Sequence, residues 1–210
     1  MDMNGIVEKE ALAIRKSLRP VLFIVDMNNG FARKGALASP RVEKIIPQIA
    51  QLAEEFKKKG YPIIAFTDSH AQDAEEFRFY PPHCIKNTRE SELVDEIKGL
   101  GDYVDVIEKD STNGFLEKKA REAIDSLIRK DTRQWVVTGC CSDLCVLQFV
   151  LSLRTYFNTI GFNGEIVIPW YMVETYDAPG HDGDEMNSFA MYNMKINGVK
   201  IAEKVIMTDD

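Results

Sequence analysis

Trp135-Val-Val-Thr-Gly-Cys-Cys-Ser-Asp-Leu-Cys-Val-Leu-Gln-Phe-Val-Leu-Ser-Leu153 changes character twice within a short span. Trp135 to Thr138 is bulky and β-branched, as a buried strand requires. Gly139 opens a turn, and Leu147, Val150, Leu151 and Leu153 then follow as an apolar helix. A strand, a glycine turn and a helix in that order are the repeating unit of a parallel α/β fold, and they place Cys145 on the first helical turn.

The same unit recurs on both sides. Upstream, Val21-Leu-Phe-Ile-Val25 is a continuous apolar run between Pro20 and Asp26, suited to a strand covered on both faces. Pro40 opens a helix whose apolar positions Val42, Ile45, Ile46, Ile49, Leu52, Ala53 and Phe56 share one side, and Gly60 closes it. Pro62 to Phe66 reads as a second strand and Tyr103 to Ile107 as a third, with Leu116 to Ile128 as another crossover helix. Downstream, Glu165 to Ile168 is a fifth strand, Gly183 to Met194 a helix that His181 introduces, and Val199 to Ile201 an edge strand. Short helices are expected over about 6–17 at the N-terminus and from Glu90 to Ile97. The alternation predicts an α/β fold: a three-layer α/β/α sandwich around a mostly parallel sheet of about six strands, one domain over residues 1–210.

Composition narrows the partners. The chain has 210 residues, 45% of them hydrophobic, enough for one well-filled core. Its formal charge of −7 disfavours nucleic acid and anionic membranes, since phosphate binding needs a basic patch. A small neutral or cationic ligand fits better. No stretch reaches the roughly 18 apolar residues of a membrane span, and the polar opening MDMNGIVEKE has no signal-peptide core, so a cytoplasmic protein is expected. Three of the four cysteines crowd at Cys140, Cys141 and Cys145, which is not the spacing of a disulfide scaffold. No CxxC pair is present for a structural zinc site.

Several polar residues stand where the strands should end. Asp26 closes the first strand, at an edge where a partly buried carboxylate serves as a general base. Lys109 follows the third strand and is positioned to hold that carboxylate and stabilise developing charge. Cys145 at a helix N-terminus meets the positive end of the helix dipole, which favours thiolate. Each residue alone has an ordinary explanation: a turn aspartate, a surface lysine, a small core cysteine. The irregular segment from Ala71 to Thr88 is too long for a plain connection and marks a functional loop. Together with the preceding Thr67-Asp-Ser-His70 it brings Asp68, His70, Glu76 and His83, an oxygen and nitrogen set suited to zinc, iron or manganese, and two of the three histidines.

Taken together, Val25-Asp-Met-Asn-Asn-Gly-Phe31, Thr67-Asp-Ser-His70, Glu76-Phe-Arg-Phe-Tyr-Pro-Pro-His-Cys84, Glu108-Lys-Asp110 and Thr138-Gly-Cys-Cys-Ser-Asp-Leu-Cys-Val146 resemble the isochorismatase-like cysteine hydrolases, and within them the nicotinamidases. The likeness runs from about Pro20 to about Ile201. It implies a catalytic triad of Asp26, Lys109 and Cys145, and a cis peptide before Cys141 that directs its N–H, with that of Cys145, into an oxyanion hole. It also implies one divalent metal, zinc before iron or manganese, on Asp68, His70, Glu76 and His83. Phe31 and Tyr80 would be aromatic neighbours of a pyridine ring, with Tyr80 standing where tryptophan is common. The implied reaction converts nicotinamide to nicotinate and ammonia through a cysteine thioester, in the salvage of pyridine nucleotides. The family also implies a homo-oligomer.

Two other readings compete. One is a metal-free relative acting on another small amide, carbamoyl compound or vinyl ether. The other is a non-catalytic ligand-binding or thiol-sensing relative, against which the intact Asp26, Lys109 and Cys145 argue.

Overall fold

The computed structural model describes residues 5–210. Its strands are β1 (Leu12–Arg15), β2 (Val21–Val25), β3 (Ile63–Asp68), β4 (Val104–Lys109), β5 (Gln134–Cys140), β6 (Glu165–Pro169), β7 (Val173–Glu174), β8 (Lys200–Ala202) and β9 (Val205–Thr208). The α-helices are α1 (Asn29–Ala32), α2 (Pro40–Lys44), α3 (Ile46–Lys59), α4 (Asp95–Lys98), α5 (Lys118–Arg129), α6 (Leu147–Thr159) and α7 (Gly183–Ile196). Six strands run side by side in the order β4-β3-β2-β5-β6-β8, all parallel, and the two-residue β7 adds to the end of β5. The sheet is therefore seven-stranded and parallel throughout.

Strand alternation divides the core. Val21, Phe23 and Val25 of β2, with Trp135 and Val137 of β5, face a cluster closed by Ile124 of α5, Phe149 of α6 and Met191 of α7. Leu22, Ile24 and Val136 face the opposite cluster, closed by Ile49 and Phe56 of α3 and Ile97 of α4. Apolar residues at every strand position are what a sheet covered on both faces demands, and this is the expected three-layer sandwich. Among the described residues no helix is long and apolar enough to cross a membrane.

Three local expectations are corrected. The single helix expected from Pro40 to Gly60 is parted at Ile45 into α2 and α3, because Pro47 lacks the N–H that would continue the ladder. The helix expected over about 6–17 is instead β1 and a 3-10 turn at Lys16–Leu18. β1 pairs in parallel with β9, apart from the main sheet, and Ile14 is fully buried. Pairing with a strand nearly the whole chain away outweighs a weak local helical pattern. The helix expected from Glu90 to Ile97 is broken into a 3-10 turn at Arg89–Ser91 and the one-turn α4. The cause is a pair of asparagines. Asn28 donates to the carbonyl of Ser91, and Asn29 to those of Arg89, Glu92 and Leu93, which takes those acceptors out of a helical ladder.

Strand order reverses between β2 and β5, since the chain winds outward through β3 and β4 and returns to start β5 on the other side of β2. The crevice beyond the carboxyl ends of these two strands is where open α/β sheets hold ligands. Gly139 lets them approach so closely. It has φ +115°, and a Cβ there would lie 1.9 Å from the carbonyl oxygen of Val25.

Candidate active site

Register builds the centre of the site. In the β3–β4 ladder Asp68 stands directly beside Lys109, the last residues of two adjacent parallel strands. Asp26 follows β2 at φ 50°, a left-handed conformation that turns its carboxylate over the crevice. Lys109 reaches in from the sheet edge. Its Nζ lies 2.8 Å from Oδ2 of Asp26, donates to Oδ1 of Asp68 and to the carbonyl of Ser111 (2.9 Å), and lies 3.8 Å from Sγ of Cys145. Asp26, Asp68, Lys109 and Cys145, drawn from four separate segments, are all buried. The pairing of Lys109 with Asp26 follows the expectation. Its hydrogen bond to Asp68, which ties this pair to the neighbouring His70, Glu76 and His83, does not.

Burial dominates the electrostatics. It raises the Asp26 carboxyl against the opposing pull of Lys109, with Asp68 adding to the rise, to about 6. For Asp68 burial works in the same direction, but Lys109 and the neighbouring His70 and His83 imidazoles overcome it and hold the carboxyl far below its usual range. Lys109 stays charged: burial works against its ammonium, and Asp26, Asp68 and Cys145 outweigh it. Neither oxygen of Asp26 makes a well-aligned hydrogen bond within the protein. The carboxylate is free to take a proton.

The turn that carries Cys145 differs from the simple helix start expected. Residues Ser142–Val146 form a π-helical turn before α6, and the Cys140–Cys141 peptide is cis. Burial pushes the Cys145 thiol well up, Lys109 opposes, and Asp26 and Asp68 reinforce the rise. The resting group is thus the thiol, and the dipole effect expected to favour thiolate is outweighed by burial between two carboxylates.

Beside this centre, Asp68, His70, Glu76 and His83 each offer a donor atom, all within 4.8 Å of one another. His70 Nε2 lies 3.4 Å from Oδ2 of Asp68 and 4.0 Å from Oε1 of Glu76, and the His83 distances are 3.5 and 3.9 Å. Nδ1 of His83 lies 2.8 Å from the carbonyl oxygen of Pro81, which accepts its proton and leaves the Nε2 lone pair facing the cluster. Both ring nitrogens of His70 are buried without a partner. The donor set fits a divalent cation by its charge as well. Asp26, Asp68 and Glu76 against Lys109 leave a formal excess of two negative charges in a largely buried space, which such an ion would cancel.

A cleft of about 30 Å³ is lined by Cys145, Asp68, Glu76, His83 and Cys141 together with Phe31, Tyr80, Thr112, Leu37, Leu144 and Tyr176. The Phe31 and Tyr80 ring centroids lie 5.5 and 6.3 Å from that of His83, so both expected aromatic neighbours line the cleft. Sequence reasoning missed Leu37, Thr112, Leu144 and Tyr176. They come from turns and loops with no periodicity to mark them. His181 precedes the Asp182 cap of α7 as expected, but it also reaches Asp143 in the turn that carries Cys145, with Nε2 2.8 Å from Oδ2.

The family model described as the isochorismatase domain matches residues 20–155. A curated relative, "Nicotinamidase 1" of Arabidopsis thaliana, is 31% identical, the match covering 94% of this chain and 91% of that one. The crystal structure of nicotinamidase from Bacillus subtilis superposes with a TM-score of 0.72 at 26% identity, covering 88% of this chain and 99% of that one. The pyrazinamidase of Pyrococcus horikoshii, solved in complex with zinc, gives 0.69 at 25% identity, covering 87% and 98%. The domain match over residues 20–155 and the near-full-length match to a nicotinamidase, on a parallel sheet of the same fold, make this chain a member of the isochorismatase-like hydrolases, in their nicotinamidase family.

Proposed function

We propose that this chain is a cysteine amidohydrolase that converts nicotinamide to nicotinate and ammonia. The observation that carries the reading is the meeting of Asp26, Lys109 and Cys145 beside a four-residue donor set, in one cleft walled by aromatic rings. Asp68, His70, Glu76 and His83 would hold one divalent cation, zinc before iron or manganese. Bound there, it would supply a Lewis-acid contact for a ring nitrogen.

The remaining chemistry belongs to the protein. Asp26 takes the proton of the Cys145 thiol as the sulfur attacks the amide carbon, so the thiolate forms at the moment it is consumed. The N–H groups of Cys141 and Cys145 stabilise the oxyanion of the tetrahedral species. The C–N bond breaks, and the proton held by Asp26 leaves with ammonia. Water then attacks the thioester with Asp26 again as base, the C–S bond breaks, and the thiol is restored. Lys109 keeps the Asp26 carboxylate in place through both halves. Phe31 and Tyr80 hold the ring between aromatic faces.

The test is ammonia release from nicotinamide. Wild-type protein supplied with zinc, iron or manganese should turn over, whereas Cys145→Ala and chelator-treated protein should not. Turnover by Cys145→Ala would end the covalent mechanism. Full activity of the chelated protein would favour the metal-free reading.

A further inference from the structure

Tyr176 lies between two cavities. It lines the catalytic cleft, and with Leu37 it also lines a second cavity of about 390 Å³ bordered by Ser39, Arg41, Lys44 and Ala178. These are the two residues common to both linings. Leu37 stands on a turn, but Tyr176 is held by an arrangement outside the triad and the donor set. Its ring is stacked on the His181 imidazole, with centroids 4.0 Å apart and planes 3° from parallel. Nδ1 of His181 lies 2.9 Å from the Tyr176 carbonyl oxygen, and Nε2 lies 2.8 Å from Oδ2 of Asp143. Asp143 sits in the turn that carries Cys145. One histidine therefore fastens the wall of the cleft to the nucleophile turn by both ring nitrogens and one ring face.

We propose that Tyr176, locked by His181 and Asp143, is the size filter of this enzyme: it closes the cleft against the outer cavity and restricts the substrate to single-ring carboxamides. The proposal deepens the nicotinamidase reading and rests on it for substrate class. Asp143 and His181 are positioning residues that act through Tyr176. Removing the phenol joins the cleft to the outer cavity, where a fused second ring finds space. A pocket wall that excludes such a group is worth about tenfold or more in selectivity.

The test compares nicotinamide with quinoline-3-carboxamide, which carries a fused benzene ring on the same pyridine amide. Wild type should prefer nicotinamide, Tyr176→Ala should shift the ratio of kcat/KM values at least about tenfold toward the bicyclic amide, and Leu37→Ala should shift it in the same direction. His181→Ala should move the ratio likewise, and the double variant Tyr176→Ala/His181→Ala no further than Tyr176→Ala alone, because both act through one ring. Binding of nicotinate and quinoline-3-carboxylate, read by calorimetry, carries the same comparison without turnover. Nitration of Tyr176 by tetranitromethane, read by peptide mass, should be slow in wild type and faster in His181→Ala, while Tyr80 is unchanged. An unmoved ratio and unmoved binding in both Tyr176→Ala and Leu37→Ala would remove the filter, and unmoved nitration in His181→Ala would remove the lock. Wild type inactive on both amides would overturn the nicotinamidase reading instead, leaving binding and nitration to decide the filter and its lock.

Discussion

Asp26 is the residue on which pH should act first. A base with its carboxyl near 6 is ionised at neutral pH and lost below it, so kcat/KM should fall on the acid side as Asp26 takes a proton. A cation bound at the neighbouring donor set moves that limb to lower pH, since positive charge favours the carboxylate. The acid limb of the loaded enzyme should therefore lie at or below pH 6, and a limb clearly above 7 would exclude Asp26 as its origin. The stability consequence has the opposite sense from an ordinary ion pair. The folded carboxyl holds its proton up to about 6, the unfolded one only to about 3.9, so stability present at low pH is lost as pH rises through the folded value. Above that, folding carries the cost of burying an ionised group. Asp26→Asn should accordingly abolish activity yet melt no lower than wild type at pH 8, a combination that a purely structural aspartate would not give. Thermal melts and ammonia release on one preparation decide it. That Asp26, Lys109 and Cys145 are candidates was legible because each ends a strand or begins a helix. Lys109 gripping Asp68 was not, because that contact depends on the register of two strands, which a linear pattern does not specify.

Among the elements, the β5 exit matters most. Gly139 allows β5 to pass against Val25, and the turn after it delivers Cys141 and Cys145 into the cleft. A methyl group at Gly139 would meet backbone, which cannot rotate aside, and it would also require positive φ of an L side chain. Gly139→Ala should cost at least about 3 kcal/mol in urea denaturation, and a loss under 1 kcal/mol would show that β2 and β5 can separate at no great expense. The elements read correctly from sequence were those whose own pattern decides them: the buried apolar runs of β2, β3 and β5, and the one-sided face of α3. Those misread were decided from outside. Residues 12–15 became a strand because β9 was there to pair with, and residues 89–97 were broken by the side chains of Asn28 and Asn29. The π turn at Ser142–Val146 leaves no compositional mark at all.

Over the whole molecule, the parallel sheet gathers charge at one place. Asp26, Asp68 and Lys109 each end a strand at the same edge, and Glu76, His70 and His83 come down on them from one loop, so folding alone concentrates unbalanced negative charge out of water. The unfolded chain bears no such cost, since its carboxylates are separated and solvated. A divalent cation that binds only the folded state should then stabilise it by mass action, by about 2.7 kcal/mol at a hundredfold excess over its dissociation constant. Chelation should lower the melting temperature by several degrees, and zinc, manganese or iron should restore it, with Cys145→Ala behaving as wild type because its donor set is intact. His83→Ala should lose the metal-dependent shift while keeping a melting temperature near that of chelated wild type, since it removes a donor with an exposed loop to relax into. If chelated and zinc-supplied wild type melt together, the four donors hold no ion, and the excess charge is relieved instead by proton uptake at Asp26 and Glu76, whose carboxyls are both raised by burial and by Asp68. A melting temperature that climbs as pH falls through the carboxylate range, equally with and without chelator, would identify that state.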